Sequence, residues 1–376
     1  MAAPGSGVGV TERVVQVTLA KWTKKISEQT TRKLVLLALL MKKGLIKYGA
    51  SGGNMRWIVR KDDHGLTGFP DMVPINRTRK NTKTNAYLEW RGYYAEDSFS
   101  LREKLINGGP EAIVKIFEGR EKVIREGAQR SLAGQFFVDG ESADGIANER
   151  FHGIETMMAV GAQTATDELA TATAGTYAGL STVYGAVSGV TADPLGVNHP
   201  LAKTWSPVIV NCSLNPGGGV LAWADYAIEY LRTMFLEAQY GDGDDDAMDI
   251  ATLNLPAFKA LLNLMDDKER LIVNRGSGVE LVSLGFNKLV EIDGTAVTWG
   301  REVPVTDADG ETVYGYGWTT GRLKMEVLSP SSQKTLFASM MTYNGTYAAD
   351  EFFLWLLGNL QFESPRHFGK LCTLTP

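Results

Sequence analysis

The sequence predicts an α+β protein of at least two packed units, and three observations carry that expectation. The chain has 376 residues, beyond the roughly 250 to 300 at which one hydrophobic core stops growing. Helical periodicity recurs in separate stretches, and strand-like runs gather toward the C-terminus. With 44% hydrophobic and 22% charged residues, the composition is that of an ordinary folded chain.

Taken in order, residues 1 to 20 are Gly/Ser-rich and then Val/Thr-rich, which suits a flexible start leading into an extended arm. From Ile26 to Lys47 the spacing of Leu34, Leu37, Ala38, Met41 and Leu45 predicts a helix face, with Gly44 or Gly49 as its stop. Trp57 to Arg60 and Tyr87 to Arg91 read as two strands of a long excursion whose tip, Asn76 to Thr84, is basic and free of acids. Two-stranded ribbons are marginal in water, so this one is expected to lie on another surface. Pro110 follows Asn107-Gly108-Gly109 and opens a long amphipathic helix. Its apolar face runs through Ile113, Ile116, Phe117, Val123, Ile124, Ala128, Leu132 and Phe136 as far as Val138. Lys115, Glu118, Glu121, Lys122, Arg125, Glu126 and Gln129 fall on the face assigned to solvent or a polar contact.

After Phe151 the composition shifts to Ala, Thr and Gly, and Thr176 to Ser181 reads as a turn. Helices are predicted over about Leu221 to Tyr240 and Pro256 to Met265. Strands are predicted at Leu281 to Phe286, Leu289 to Ile292, Thr312 to Tyr316, Leu323 to Leu328 and Leu356 to Phe362. The longest apolar run, Leu34 to Met41, is far short of the roughly 18 residues of a membrane span. The start lacks the basic and apolar regions of a secretory signal, so a cytosolic folding compartment is expected. Cys212 and Cys372 lie far apart without metal-ligand spacing and read as two buried thiols.

Charge is uneven: the first hundred residues carry +9 and the remainder −14, for a total of −5. A basic first quarter on an acidic body is either a nucleic-acid arm or an arm lying on the acidic surface of a neighbouring copy. The basic residues, among them Lys24 and Lys25 in the arm and Arg77, Arg79, Lys80 and Lys83 at the excursion tip, lack the interleaved aromatics of a single-strand-binding groove. Both clusters are therefore candidates for contact between subunits.

Catalytic patterns are weak throughout. Gly49-Ala50-Ser51-Gly52-Gly53 matches the serine nucleophile elbow, but a helix is predicted before Ser51 and a strand after it, the reverse of what that turn requires. Asp242 to Asp246 begins like a calcium loop, but Ala247 and Leu253 stand where its glycine and closing glutamate belong. Asn215 to Gly219 lacks the Lys and Ser/Thr of a phosphate loop. His64, His152, His199 and His367 show no ligand spacing. No enzymatic activity, cofactor or metal is expected.

The order of features resembles the major capsid proteins of tailed bacteriophages with the Hong Kong 97-type fold. The helix Glu111 to Phe137 followed by Phe151-His152-Gly153-Ile154 is similar to that family's long helix and aromatic-x-Gly-aliphatic turn. Thr176 to Ser181 with Trp205, Leu284-Gly285-Phe286 to Asp293, and Gly358-Asn359-Leu360 with Pro365-Arg366 and Gly369 resemble further segments of it. The resemblance implies an N-terminal arm over 1–48, an extended loop over 49–100, and a peripheral domain with the long spine helix over 101–155. It further implies an axial domain over 156–325 and a return into the peripheral domain over 326–376.

The implied function is self-assembly, as hexamers and pentamers, into the icosahedral head shell of a double-stranded DNA phage. The implied partners are further copies, a portal, a separate scaffolding protein and decoration proteins. Packaged DNA is touched only non-specifically, and no membrane is involved. The protein is then expected in the virion, and in the host cytoplasm during assembly. Some members of the family join a loop lysine to an asparagine of a neighbour; here Lys61, Lys80 or Lys83 and Asn344 or Asn359 are the candidates, and non-covalent shells are the expectation. The alternatives are an encapsulin-like nanocompartment, a hydrolase using Ser51, and a basic-armed nucleic-acid-binding protein.

Overall fold

The computed structural model describes residues 34–60, 83–100, 102, 110–158, 168–170, 175–183, 205–214, 222–239, 247–266, 289–307, 309–328, 336–344 and 349–374. Helix α1 (Val35–Lys42) is buried along most of its length, with Leu37, Leu39 and Leu40 essentially inaccessible. It is apolar all round because it lies inside the core. Gly44, at φ +66°, ends it: the Leu45 N–H bonds the Leu40 carbonyl and the Gly44 N–H bonds the Met41 carbonyl, the paired closure of a Schellman cap. Strand β1 (Ile46–Tyr48) follows. The stretch 34–48, which the sequence assigns to an arm, is thus partly core, because its unbroken apolar run is satisfied only by burial on every side.

Strands β2 (Met55–Arg60) and β3 (Lys83–Leu88) pair antiparallel as a ribbon, Met55 opposite Leu88 and Arg60 opposite Lys83. Strand β4 (Arg91–Ser100) then enters the main sheet. Helix α2 (Pro110–Gln135) is about 39 Å long at about 1.5 Å per residue. Its buried face differs from the predicted one. Val123 is 69% exposed, whereas Glu121, Arg125 and Gln129 are buried beside Leu132, Ala133 and Phe136. The Glu121 carboxylate accepts from Arg125 Nε at 2.7 Å, one helical turn away. An internal ion pair lets charged residues occupy a packed stripe, which periodicity of apolar residues cannot reveal.

The short helix α3 (Ala143–Ala147) and a 3₁₀ turn (Ile154–Met157) lead to strands β5 (Leu169–Ala170), β6 (Thr176–Tyr177) and β7 (Leu180–Ser181). The last two form a tight hairpin rather than a bare turn. Ala178 and Gly179 have φ of 54° and 74°, as a two-residue type I′ connection demands, and Tyr87 sits where a Cβ on Gly179 would be. Strand β8 (Val208–Asn211), helix α4 (Trp223–Ala238), strand β9 (Ile250–Leu253) and helix α5 (Leu255–Asp266) follow. The chain continues through β10 (Val290–Ile292), β11 (Thr295–Trp299), β12 (Thr312–Trp318), β13 (Leu323–Val327), β14 (Ala338–Asn344), β15 (Ala349–Phe362) and β16 (Gly369–Thr373).

Two sheets organise the chain. In the five-stranded sheet the long β15 pairs along one edge with β4 and along the other with β14 and then β13, and β13 carries β1. The seven-stranded sheet runs β10-β11-β9-β12-β16-β8-β5. Two apolar clusters are buried. One packs α1, the end of α2 and β15 and takes in one face of the seven-stranded sheet, through Ile209, Ile250, Val313, Tyr316 and Trp318; the other packs α4 and α5 on the opposite face of that sheet. The C-terminal part of the sequence division does not hold as drawn. β13 already belongs to the five-stranded sheet, and β16 returns to the middle of the seven-stranded one, where Leu371 and Cys372 are fully buried. The predicted strand at 281–286 and the loops Asn215–Gly219 and Asp242–Asp246 lie outside the described residues.

Candidate inter-subunit surface

Of the six basic residues singled out in the sequence, Lys24, Lys25, Arg77, Arg79 and Lys80 lie outside the described residues. Lys83 is exposed at the first position of β3. The ribbon beneath the tip has two unlike faces. Met55, Trp57, Val59, Ala86 and Leu88 point inward, and Met55, Ala86 and Leu88 are almost wholly buried in the chain's own core. The ribbon base is therefore anchored on its own subunit. The opposite face carries Arg56 and Lys83 with Asn85, Ile58 at 66% exposure and Tyr87 at 50%. It is basic and apolar together.

A second open face lies on the five-stranded sheet. On β4, Asp97 pairs with Arg120, the Arg120 guanidinium covers the Phe99 ring at 4.8 Å, and Tyr93 Oη donates to Gln135 at 2.8 Å. These contacts place α2 on the side of the odd-numbered β4 residues. Register places Tyr94 opposite Trp355, Glu96 opposite Phe353 and Gly92 opposite Leu357, with Met340 and Ala338 of β14 on the same side. Tyr94 is 73% exposed and Met340 56%, while Phe353, Trp355 and Leu357 are half-buried and Glu96 and Glu351 flank them. This face is apolar with an acidic edge, and sequence reasoning missed it. Its signal is the run Phe352-Phe353-Leu354-Trp355-Leu356-Leu357, apolar at consecutive positions. Such a run belongs to a strand covered on both faces, yet only one face of β15 is covered by α2.

Of the segments that carry the family resemblance, Phe151 to Ile154 packs on the end of α2, Tyr177 and Asn359 meet on β15 and its surroundings, and Leu284 to Phe286 lies outside the described residues. The Ile154 N–H donates to the Phe136 carbonyl at 2.8 Å, and a Cβ on Gly153 would lie 2.5 Å from the Gln135 carbonyl oxygen. Tyr177 reaches Trp205 and Phe362, with ring centroids at 6.2 and 5.9 Å, and its hydroxyl accepts the Phe362 N–H. Asn359 is fully buried. Its Nδ2 donates to the Glu89 carbonyl and to His152 Nδ1, and its Oδ1 accepts from the His152 and Leu360 N–H groups. Burial, with Arg91 nearby, pushes the His152 pKa down to about 4, so the ring is neutral and accepts. The Asn359 amide is thus buried and engaged at both ends within its own chain. Asn344 ends β14, and Lys61 lies outside the described residues. Ser51 sits in an exposed turn between β1 and β2, without the following helix an elbow requires.

No protein-family model matches the sequence, and no curated protein matches it. Among solved structures the chain is similar to the capsid of the native GTA particle, at 11% identity and a TM-score of 0.52, over 92% of this chain and 91% of that one. The mature capsid of bacteriophage PhiM1 gives 11% identity and a TM-score of 0.48 over 89% and 87%. The holo-SrpI encapsulin of Synechococcus elongatus PCC 7942 gives 10% and 0.48 over 89% and 90%. The first of these defines the class by fold: a capsid-fold chain. Its particular fold is the Hong Kong 97-type fold of phage shell proteins.

Proposed function

We propose that this chain is the major coat subunit of a tailed double-stranded DNA bacteriophage, closing by self-association into an icosahedral head of hexamers and pentamers. One observation carries this most: β15 is apolar on both faces, and the described residues cover only one. A second copy is the natural cover. The ribbon face with Arg56, Ile58, Tyr87 and Lys83 matches it in chemistry, apolar against apolar and basic against Glu96 and Glu351. Each subunit then completes its neighbour, and such head-to-tail contacts generate closed rings when the rotation closes. The basic tip, with Arg77, Arg79, Lys80 and Lys83, and the arm with Lys24 and Lys25 extend the same pairing onto the acidic surface of adjacent copies. The chain acts by structure rather than catalysis, in the virion and, during assembly, in the host cytoplasm. A portal, a separate scaffolding protein and decoration proteins complete the particle, and packaged DNA is met non-specifically.

The test is electron microscopy of the chain expressed with its neighbouring genes. Closed shells that carry DNA after packaging support the proposal. Shells filled with a protein cargo favour a nanocompartment instead. A stable monomer under every salt, concentration and scaffold condition overturns shell formation altogether.

A further inference from the structure

A lysine stands where a core side chain is expected. Lys370, in the centre of the seven-stranded sheet, is 1% exposed. Its Nζ lies 2.6 Å from Asp307 Oδ2, 3.0 Å from Glu155 Oε2 and 3.9 Å from Glu311 Oε2. The Asp307 side chain is as buried as the lysine, and the Tyr316 hydroxyl donates to the other oxygen of Glu155. One cation therefore faces three carboxylates away from water: burial raises Glu155 and pushes Glu311 up to about 7. Burial works against the Lys370 cation, but the charges around it, that of Glu155 foremost, outweigh that burial and raise its pKa, so the amine is freed only by passing a proton to a touching acid. Meanwhile Asp307 Oδ1 accepts two backbone N–H groups, from Asp309 at 3.1 Å and Glu311 at 2.8 Å.

Every part of an acyl-transfer centre is present. The amine is the nucleophile, and the Asp307 carboxyl is the electrophile. Its Oδ1 rests in a pair of backbone donors of the kind that stabilise an oxyanion. Its Oδ2 faces the amine, and Glu155 touches the same nitrogen as a proton acceptor. A plain salt bridge needs neither the two donors on the far oxygen nor the second buried acid.

We propose that Lys370 and Asp307 condense to an intrachain isopeptide bond, with Glu155 as the catalytic proton shuttle. Glu155 takes one proton from the ammonium and passes it to Asp307 Oδ2, and the freed amine attacks Cγ of the neutral carboxyl group. The negative charge that develops on Oδ1 is held by the Asp309 and Glu311 N–H groups. As the tetrahedral centre collapses, the Cγ–Oδ2 bond breaks. Oδ2 leaves as water with two of the three original ammonium protons, one of them delivered by Glu155, which returns to its starting state. The third proton stays on the amide nitrogen. Nothing is oxidised or reduced, and no co-reactant is needed. Holding the groups in contact gives the high effective concentration such a step requires, and replacing a buried ion pair by a neutral amide removes a desolvation cost. The bond pins β16, which is close to the end of the described chain yet central in its sheet, to the loop before β12. It is a property of the single chain and stands apart from shell formation.

Intact-mass spectrometry of the full-length wild-type protein under denaturing conditions decides this. The expected mass is one water, about 18 Da, below that of the sequence. Fragmentation should place the loss in a branched peptide joining Asp307 to Lys370, with trypsin unable to cut after Lys370. Glu155→Gln should restore the full mass in a chain that still folds by circular dichroism. Asp307→Asn should condense with loss of ammonia, about 17 Da, in place of water. A wild-type chain at its full sequence mass that trypsin cleaves after Lys370 overturns the proposal, as does a water loss mapped to any other residue pair.

Discussion

The Asn359 amide donates to His152 Nδ1 at 2.7 Å while its oxygen accepts the His152 backbone N–H at 3.1 Å, clamping β15 to the segment that follows α2. The clamp requires a neutral imidazole, and the His152 pKa is held near 4, below the ordinary 6.5. Between those values the unfolded chain binds a proton that the folded chain does not, so stability falls as pH drops from 6.5 toward 4. The contribution lost is on the order of 3 kcal/mol. Melting temperatures across this range should fall more steeply for wild type than for His152→Gln. Equal slopes would contradict the clamp.

The same saturation of Asn359 argues against that residue as an acceptor for a neighbour's lysine. A denaturing gel of mature particles should therefore show one monomer-sized band. A ladder of covalent multimers would show that subunits join by a route this geometry does not provide.

Gly153 is sealed against the last turn of α2 by three backbone carbonyls, those of Gln135, Phe136 and Val138. Backbone cannot step aside as a side chain can, so Gly153→Ala should cost about 2 to 3 kcal/mol by overpacking. Urea denaturation measures it, and a change under about 0.5 kcal/mol would mean the segment relaxes freely.

How much of this was written in the sequence depends on the kind of signal. Gly44 as one of two stops, the helix from Pro110 and the first ribbon strand were readable because capping, the N1 proline and β-branched runs act locally. The second ribbon strand was misplaced, since Tyr87 to Arg91 spans the end of β3 and the start of β4. The buried Glu121–Arg125 pair was not, since two charges read as solvated until a partner one turn away is seen to neutralise them. Asp293-Gly294 looked only like the end of a strand pair. It is a hairpin turn with both residues at positive φ, closed by an Arg232–Asp293 ion pair at 2.8 Å. The return of β16 to the middle of the seven-stranded sheet is set by long-range pairing, which no window of sequence contains. The open sheet face was hidden for a related reason: alternation fails on β15, and only register shows which apolar residues remain uncovered.

Exposed charges contribute about 0 to 1 kcal/mol per pair, so a merely solvated tip tolerates reversal. A tip docked on an acidic neighbour does not, because the loss repeats at every contact. Changing Arg77, Arg79, Lys80 and Lys83 together to Glu should leave the melting temperature and circular dichroism of the monomer unchanged and sharply reduce particle yield. Wild-type yield from the folded quadruple variant would show that the tip is solvated and remove it from the interface.

The central claim is that the open face of the five-stranded sheet is completed by the ribbon of another copy, and a photo-crosslinker in place of Tyr94 tests it most directly. Tyr94 is 73% exposed at the middle of that face, so benzoylphenylalanine fits there without disturbing the core. Irradiated particles should yield dimers whose joined peptides contain residues 55–60 or 83–88 of a second chain. Particles that assemble normally and yield no inter-chain product from this position would contradict the account.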